Sequence, residues 1–144
     1  MNEKTTEPEN IARAPAKTGP LKYVLMLEDE TELTQELAPF FEQNGFKLVS
    51  VTNGVDGLKQ IIAREFSVII CDMMMPSLPG DMFYRAVERT KPHLCRRFIF
   101  ITGFKGNQEI EEFIRRVSGI MLWKPFETFE LMDAIKMVLE KTGG

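Results

Sequence analysis

The sequence has few cysteines and histidines and no long apolar run. Its two cysteines, Cys71 and Cys95, lie far apart and match no C-x-x-C pattern, so we expect reduced packing thiols rather than a disulfide. The only histidine, His93, follows a proline in a predicted loop and is expected to be exposed. No run approaches the roughly 20 apolar residues that cross a bilayer, and the N-terminus lacks the apolar core of a signal peptide. We therefore expect a cytoplasmic protein.

The sequence also has no excess of basic residues, with 18 Lys and Arg against 21 Asp and Glu. The 144 residues carry a net charge of -3, which argues against nucleic acid or an anionic membrane as the partner. A hydrophobic fraction of 44% in a chain of this length is enough for one domain with its own core. Residues 1–20 are polar, hold three of the eight prolines and offer only Ile11 as a large apolar residue besides the initiator. We expect a flexible N-terminal leader or linker there and a single domain over residues 21–144.

Short apolar segments alternate with segments of helical spacing along the rest of the chain. This alternation predicts an α/β fold: a doubly wound, five-stranded parallel sheet of order 2-1-3-4-5, flavodoxin-like, with five helices and right-handed crossovers. The predicted strands are 22–27, 46–51, 67–72, 97–102 and 119–123. The predicted helices are 31–44, 54–64, 81–90, 107–117 and 126–141.

The apolar spacing also predicts which helical residues face the core. Pro39 interrupts the first helix and is expected on its exposed side, because proline cannot donate the helical hydrogen bond. The predicted inward residues include Val55, Leu58, Ile61 and Ile62 in the second helix, Met82, Phe83, Ala86 and Val87 in the third, and Phe129, Leu131, Ala134, Ile135 and Val138 in the last.

Polar residues end several of the predicted strands. Glu28 and Asp29 follow the first, Asp72 ends the third, Thr102 ends the fourth and Lys124 follows the fifth. In this sheet order the first and third strands are neighbours, so the three carboxylates would converge. Clustered carboxylates repel one another and require a cation, and oxygen ligands suit Mg²⁺ or Mn²⁺. Asp72 would then be a nucleophile toward phosphorus, and Thr102 and Lys124 would contact the phosphoryl group.

Each of these residues also has an ordinary structural reading. Glu28 and Asp29 could cap the first helix, Asp72 could cap a turn, Thr102 could be a strand-end turn residue and Lys124 a surface charge. Their joint order along the chain favours the shared site.

These motifs resemble the receiver domain of bacterial two-component response regulators over roughly residues 21–141. The motifs are E-D-E at Glu28, D-M-M-M-P at Asp72, T-G at Thr102 and K-P-F at Lys124. The resemblance implies that Asp72 accepts a phosphoryl group from a histidine kinase or histidine phosphotransfer protein. It also implies that Asp29 and Asp72 bind Mg²⁺ directly, Glu28 largely through water, and Met74 through its backbone carbonyl. Thr102 and Lys124 would pass the change to a downstream protein at the face of the fourth helix, fifth strand and last helix.

Three positions bear on how this chain would differ from other members of that family or vary among them. Many members carry Tyr or Phe where this chain has Met121, so the familiar aromatic switch cannot operate there. Met74 and Phe104, two residues beyond Asp72 and Thr102, are large and apolar and could shield an acyl phosphate from water.

Other functions stay open at this point. A Mg²⁺-dependent phosphohydrolase with an aspartyl phosphate usually needs a second acid where Met74 stands. A flavodoxin-like cofactor carrier would need a glycine- and hydroxyl-rich loop where E-D-E stands. A non-phosphorylated pseudo-receiver is also open. We expect no enzyme activity beyond the domain's own phosphorylation and dephosphorylation, in a stand-alone protein or a receiver excised from a hybrid kinase or longer regulator.

Overall fold

The computed structural model describes residues 21–103 and 106–143, and these residues build one parallel sheet with helices on both faces. The strand order is β2-β1-β3-β4-β5, which confirms the predicted 2-1-3-4-5 topology. The strands are β1 (Lys22–Leu27), β2 (Phe46–Val51), β3 (Val68–Asp72), β4 (Phe98–Thr102) and β5 (Ile120–Trp123). The α-helices are α1 (Thr31–Gln43), α2 (Gly54–Ala63), α3 (Gly80–Thr90), α4 (Gln108–Arg116) and α5 (Thr128–Thr142).

The two central strands are buried along their whole length. Every residue of β3 and β4 is buried, as expected for strands covered on both faces of a parallel sheet. Alternate residues of β1 belong to the two apolar layers on opposite faces of the sheet. Leu25 and Leu27 pack with α2, α3 and α4, whereas Val24 and Met26 pack with α1 and α5. The sheet is therefore rigid at its centre, and the loops at its carboxyl edge are held in place.

Some predicted boundaries differ from the structure. A 3₁₀ helix, Pro92–Arg97, occupies the segment predicted as a loop, and β4 begins only at Phe98. The last helix begins at Thr128 rather than 126, because a capping box formed by Glu127 and Glu130 sets its first turn. Pro39 lies inside α1 and is exposed, as predicted.

For four helical residues, the prediction that they face the core is wrong. Val55, Ile62, Met82 and Phe129 are 49%, 69%, 52% and 66% exposed. In α2 the inner face is set by glycines, because a Cβ at Gly57 would lie 2.5 Å from Leu27 Cδ2 and a Cβ at Gly54 would lie 2.6 Å from Leu78 Cβ. This close approach rotates the helix so that Val55 and Ile62 face outward.

The structure also shows the surroundings of the two cysteines and of His93. Both cysteines are free thiols; Cys71 is buried in β3 and Cys95 is partly buried. His93 is exposed, and its Nε2 lies 2.8 Å from Glu65 Oε1. The predicted leader, residues 1–20, and Phe104 lie outside the described residues. Among the described helices, none has the length and apolar character needed to cross a membrane.

Candidate functional site

Three carboxylates meet at the carboxyl edge of the sheet. Leu27 of β1 pairs with Cys71 of β3, so the residues that follow them, Glu28 and Asp72, lie side by side. Oxygen atoms of Glu28, Asp29 and Asp72 all lie within 4.8 Å of one another. Glu28 and Asp72 are buried and Asp29 is exposed, so the cluster has two enclosed carboxylates and one that faces solvent.

Glu28 is the most enclosed of the three, at 1% exposure. The Glu30 amide donates to its Oε2 at 3.0 Å. Among the described residues, its Oε1 accepts no well-directed hydrogen bond and is approached by Lys124 Nζ at 2.9 Å. Burial raises the pKa of Glu28 to about 7, assisted by the neighbouring charge of Asp72 and opposed by Lys124 and the Glu30 amide. A positive charge bound beside Glu28 would therefore favour the ionised form of its carboxylate.

Among the described residues, the ammonium group of Lys124 is the cation that contacts this carboxylate cluster. Its Nζ lies 2.9 Å from Glu28 Oε1, 2.9 Å from Glu30 Oε1 and 3.0 Å from Asp72 Oδ2. Although burial of the ammonium opposes its charge, the ion pair with Glu28 and the hydrogen bonds with Glu30 and Asp72 raise the pKa of Lys124 above its ordinary value. The ammonium therefore stays charged at neutral pH. Its backbone is fixed by the Lys124 amide, which donates to the Thr102 carbonyl at 2.9 Å.

Asp72 is held from both sides. Its Oδ2 accepts from Lys124, and its Oδ1 accepts a hydrogen bond of 2.9 Å from the Met74 amide. The loop after Asp72 packs against Gly80, where a Cβ would lie 2.8 Å from Met73 Sδ and 2.9 Å from Met73 Cα. Gly80 therefore sets how closely α3 approaches this loop, and with it the position of Met74.

Thr102 and Met121 lie on the neighbouring strands. Asp72 pairs with Ile101, so Thr102 stands one residue beyond Asp72 at the same edge, and it is fully buried. Met121 of β5 pairs with Phe100 of β4. It is partly buried against the apolar layer formed by α2, α3 and α4. Met74 is 46% exposed beside Asp72.

The donor set fits a small hard cation. Glu28, Asp29 and Asp72 offer only oxygen ligands, and Mg²⁺ prefers oxygen ligands and retains some of its waters. One Glu28 oxygen is buried without a well-directed donor among the described residues, and the exposed Asp29 leaves a route for a hydrated ion.

The structure thus brings Glu28, Asp29, Asp72 and Lys124 together and places Thr102 at the same edge. Sequence reasoning missed the part of Glu30, which shares Lys124 with Glu28 and Asp72. The third acid of the E-D-E run was the available signal, because it also follows β1.

Comparison with known proteins identifies similar chains. The family model described as the response regulator receiver domain matches residues 24–136. The response regulator receiver protein CpdR of Brucella abortus is 25% identical over 119 residues, which cover 83% of this chain and 98% of CpdR. The sensor kinase CckA of the same organism is 25% identical over 120 residues, which cover 82% of this chain but only 12% of CckA. The chain thus spans nearly all of one relative and a small part of another.

Solved structures show the same fold. A CheY-like response regulator receiver domain protein from Methanospirillum hungatei JF-1 has a TM-score of 0.78 and 21% identity, covering 86% of this chain and 98% of that one. The receiver domain of the sensor histidine kinase PA1611 from Pseudomonas aeruginosa PAO1 has a TM-score of 0.70 and 19% identity, covering 87% of this chain and 100% of that one. That neighbour was solved with a magnesium ion coordinated in its active-site cleft.

Proposed function

Since this chain belongs to the response regulator receiver domains of two-component systems, we propose that Asp72 accepts a phosphoryl group from a histidine kinase or a histidine phosphotransfer protein. The observation that carries the proposal is the position of Asp72 between Lys124 Nζ at 3.0 Å and the Met74 amide at 2.9 Å, beside two further carboxylates.

The transfer exchanges one bond to phosphorus for another. An Asp72 oxygen attacks the phosphorus of a phosphohistidine, a P–O bond forms, and the P–N bond breaks. The imidazole leaves and takes a proton from solvent. Lys124 balances negative charge on the transferred oxygens, and the Thr102 hydroxyl donates to the phosphoryl group once it is attached.

Glu28, Asp29, Asp72 and the Met74 backbone carbonyl would hold Mg²⁺. When bound, the ion neutralises charge on the phosphoryl oxygens and on the acidic cluster. The buried Glu28 oxygen and the raised pKa of this residue support a requirement for added positive charge.

The proposed output is a phosphorylation-dependent contact with a downstream protein through α4, β5 and α5. Lys124 directly follows the edge strand β5, which supports a route from the site to this face. Phe129, near the start of α5, is 66% exposed, which provides an apolar group for such a contact. Met121 takes the place of the aromatic switch and would respond by changing rotamer, since methionine is flexible.

The test is the intact mass of the protein after incubation with acetyl phosphate and Mg²⁺. We expect a single phosphoryl adduct in the wild type and none in Asp72→Asn or with a chelator. Asp133→Asn, an exposed aspartate on α5, is the matched control and should be phosphorylated normally.

An adduct that persists in Asp72→Asn would contradict the assignment of the acceptor. A folded wild type that forms no adduct would instead favour a pseudo-receiver that binds its partner without phosphorylation. Continuous release of phosphate at a high rate, with no adduct accumulating, would favour the phosphohydrolase.

A further inference from the structure

A second concave region lies between α3 and α4 and extends to the 3₁₀ helix and the end of α5, at the edge of the sheet opposite Asp72. It consists of two depressions of about 250 Å³ and about 370 Å³ that share Tyr84 and Val117, and we call it the α3–α4 groove. The smaller depression is also lined by Gly119, just before β5 begins. The floor of the groove is aromatic, formed by Tyr84, Phe98, Phe100 and Phe113, each at most 8% exposed.

Four cations surround this floor in two pairs. Arg85 and Arg116 line the larger depression together with Glu88, and Arg96 and Lys141 line the smaller one. The Arg96 guanidinium donates to the Lys141 carbonyl at 2.9 Å, which fixes that pair side by side. All four side chains belong to exposed residues.

These cations differ from others at the same edge of the sheet. Lys91, His93 and Arg97 all surround one carboxylate, Glu65, at 3.4, 2.8 and 3.7 Å. Among the described residues, no carboxylate lies within ion-pair distance of Arg85, Arg96, Arg116 or Lys141. Among the described residues that line the groove, four cations face one carboxylate, Glu88, so the groove carries net positive charge on a chain whose net charge is -3.

The arrangement selects an extended anionic ligand. Cation pairs in two adjoining depressions match two separated negative groups, and the partly buried Val117, which lines both depressions, offers apolar surface between them to an apolar side chain. Single-stranded nucleic acid fits poorly, because it needs exposed aromatic faces for stacking and these rings are buried. We propose that the α3–α4 groove binds an acidic segment of a partner protein, with an apolar side chain between two carboxylates.

This surface is separate from the phosphoacceptor site, but it includes Arg116 of α4 and Lys141 of α5, two helices of the proposed output face. The groove lies between α3 and α4 and at the start of β5, whereas Asp72 and Lys124 lie at the carboxyl edge of the sheet. A partner bound there leaves Asp72 open to a phosphodonor, and we expect such a partner to bind the unphosphorylated protein.

The test is an amide chemical-shift titration of the full chain with an acetylated, amidated hexapeptide in which Leu-Phe is flanked by two glutamates on each side. We expect shifts concentrated at Arg85, Arg116, Val117 and Gly119, and weaker binding at higher salt. The same peptide with glutamines in place of glutamates should bind much more weakly. Asp72→Asn should bind the acidic peptide as the wild type does.

Variants with a matched control identify the cations involved. The double variant Arg85→Gln with Arg116→Gln should weaken binding about fivefold, because exposed ion pairs contribute modestly to affinity. Arg89→Gln with Arg115→Gln removes two exposed arginines from the same two helices outside the groove and should leave the dissociation constant nearly unchanged. Thermal unfolding of both double variants verifies that each is folded.

Shifts that avoid the groove, equal binding of the glutamine peptide, or equal weakening by the control pair would each overturn the proposal. Succinate provides the remaining comparison. If it binds the groove as tightly as the peptide, the ligand is a small dicarboxylate and the acidic-segment proposal is wrong.

Discussion

Lys124 Nζ lies 3.0 Å from Asp72 Oδ2, although the two residues are 52 positions apart in the chain. The contact arises because β3 and β5 both end at the same edge of the sheet, on either side of β4. The same ammonium also contacts Glu28 and Glu30, so one cation balances three carboxylates before any metal binds.

Replacing Lys124 should separate metal binding from phosphorylation. In Lys124→Met we expect Mg²⁺ to bind at least as tightly, since the competing ammonium is gone. Phosphorylation from acetyl phosphate should slow by about 100-fold, since a charged donor to the transferred group is lost. Fluorescence of the only tryptophan, Trp123, reports the Mg²⁺ titration, and intact mass reports phosphorylation. Lys136→Met, an exposed change on α5, is the control; a wild-type phosphorylation rate in Lys124→Met would refute the assigned role.

Glu28 should make the metal-free protein less stable as pH rises. Because its pKa is raised from 4.5 to about 7, the native state retains a proton that the unfolded state has already released. The contribution of Glu28 is therefore fully present below pH 4.5 and is lost as pH rises to about 7. Urea unfolding across this range measures the effect. Glu28→Gln should flatten the dependence, whereas Glu36→Gln on the exposed face of α1 should not.

Mg²⁺ should reverse that loss. The ion competes with the proton for the Glu28 carboxylate, so saturating Mg²⁺ should raise the unfolding midpoint more at about pH 8 than at about pH 5. The comparison uses the wild type with Mg²⁺ and with a chelator at each pH. Equal stabilisation at both values would show that the ion does not bind at this cluster.

Gly80 should be required for the geometry of the loop after Asp72. In Gly80→Ala the new Cβ would lie 2.9 Å from Met73 Cα, a backbone atom that cannot move without shifting Met74. We expect a loss of about 1–3 kcal/mol in the free energy of unfolding, together with slower phosphorylation. Gly119→Ala is the control, because its Cβ would meet Phe100 Cε2 at 2.6 Å at the opposite edge. If both variants lose stability but both phosphorylate normally, Gly80 does not position the acceptor loop.

Cys71 should be unreactive in the folded protein. It is fully buried, and burial raises the pKa of its thiol well above the ordinary value. In Cys95→Ser, labelling with a disulfide reagent should therefore proceed only at the rate of unfolding and should accelerate in urea. In the complementary variant Cys71→Ser, the partly buried Cys95 should be labelled without unfolding. Rapid labelling of Cys71 without denaturant would contradict the burial of β3.

Local signals in the sequence were sufficient for the topology. Each strand is a short apolar run that a helix would interrupt, and alternation with helices leaves few ways to connect parallel strands. The same argument placed Glu28, Asp29, Asp72, Thr102 and Lys124 at strand ends, because a residue after a buried strand must lie at the carboxyl edge. The variants above test the proposed chemical roles of Asp72, Lys124 and Glu28.

Helix faces were harder to predict. Val55 and Ile62 fit an apolar stripe as well as Ile61 does, and the spacing alone cannot choose between two overlapping stripes. Two glycines determine which face of α2 points inward. At Gly54 and Gly57, α2 approaches Leu78 and Leu27 more closely than a residue with a Cβ would allow. Apolar periodicity assigns no weight to glycine, so this contact was invisible to it.

By itself, the sequence determined the order of the strands and which polar residues reach the carboxyl edge, because both depend on neighbouring residues along the chain. The tertiary structure decided how charge is shared there, since only packing buries Glu28, raises its pKa and brings Lys124 within 3.0 Å of Asp72. It also decided which cations lie outside ion-pair distance of any carboxylate among the described residues, as at the α3–α4 groove. Electrostatic energies depend on distance and burial, and neither can be read from positions in a chain.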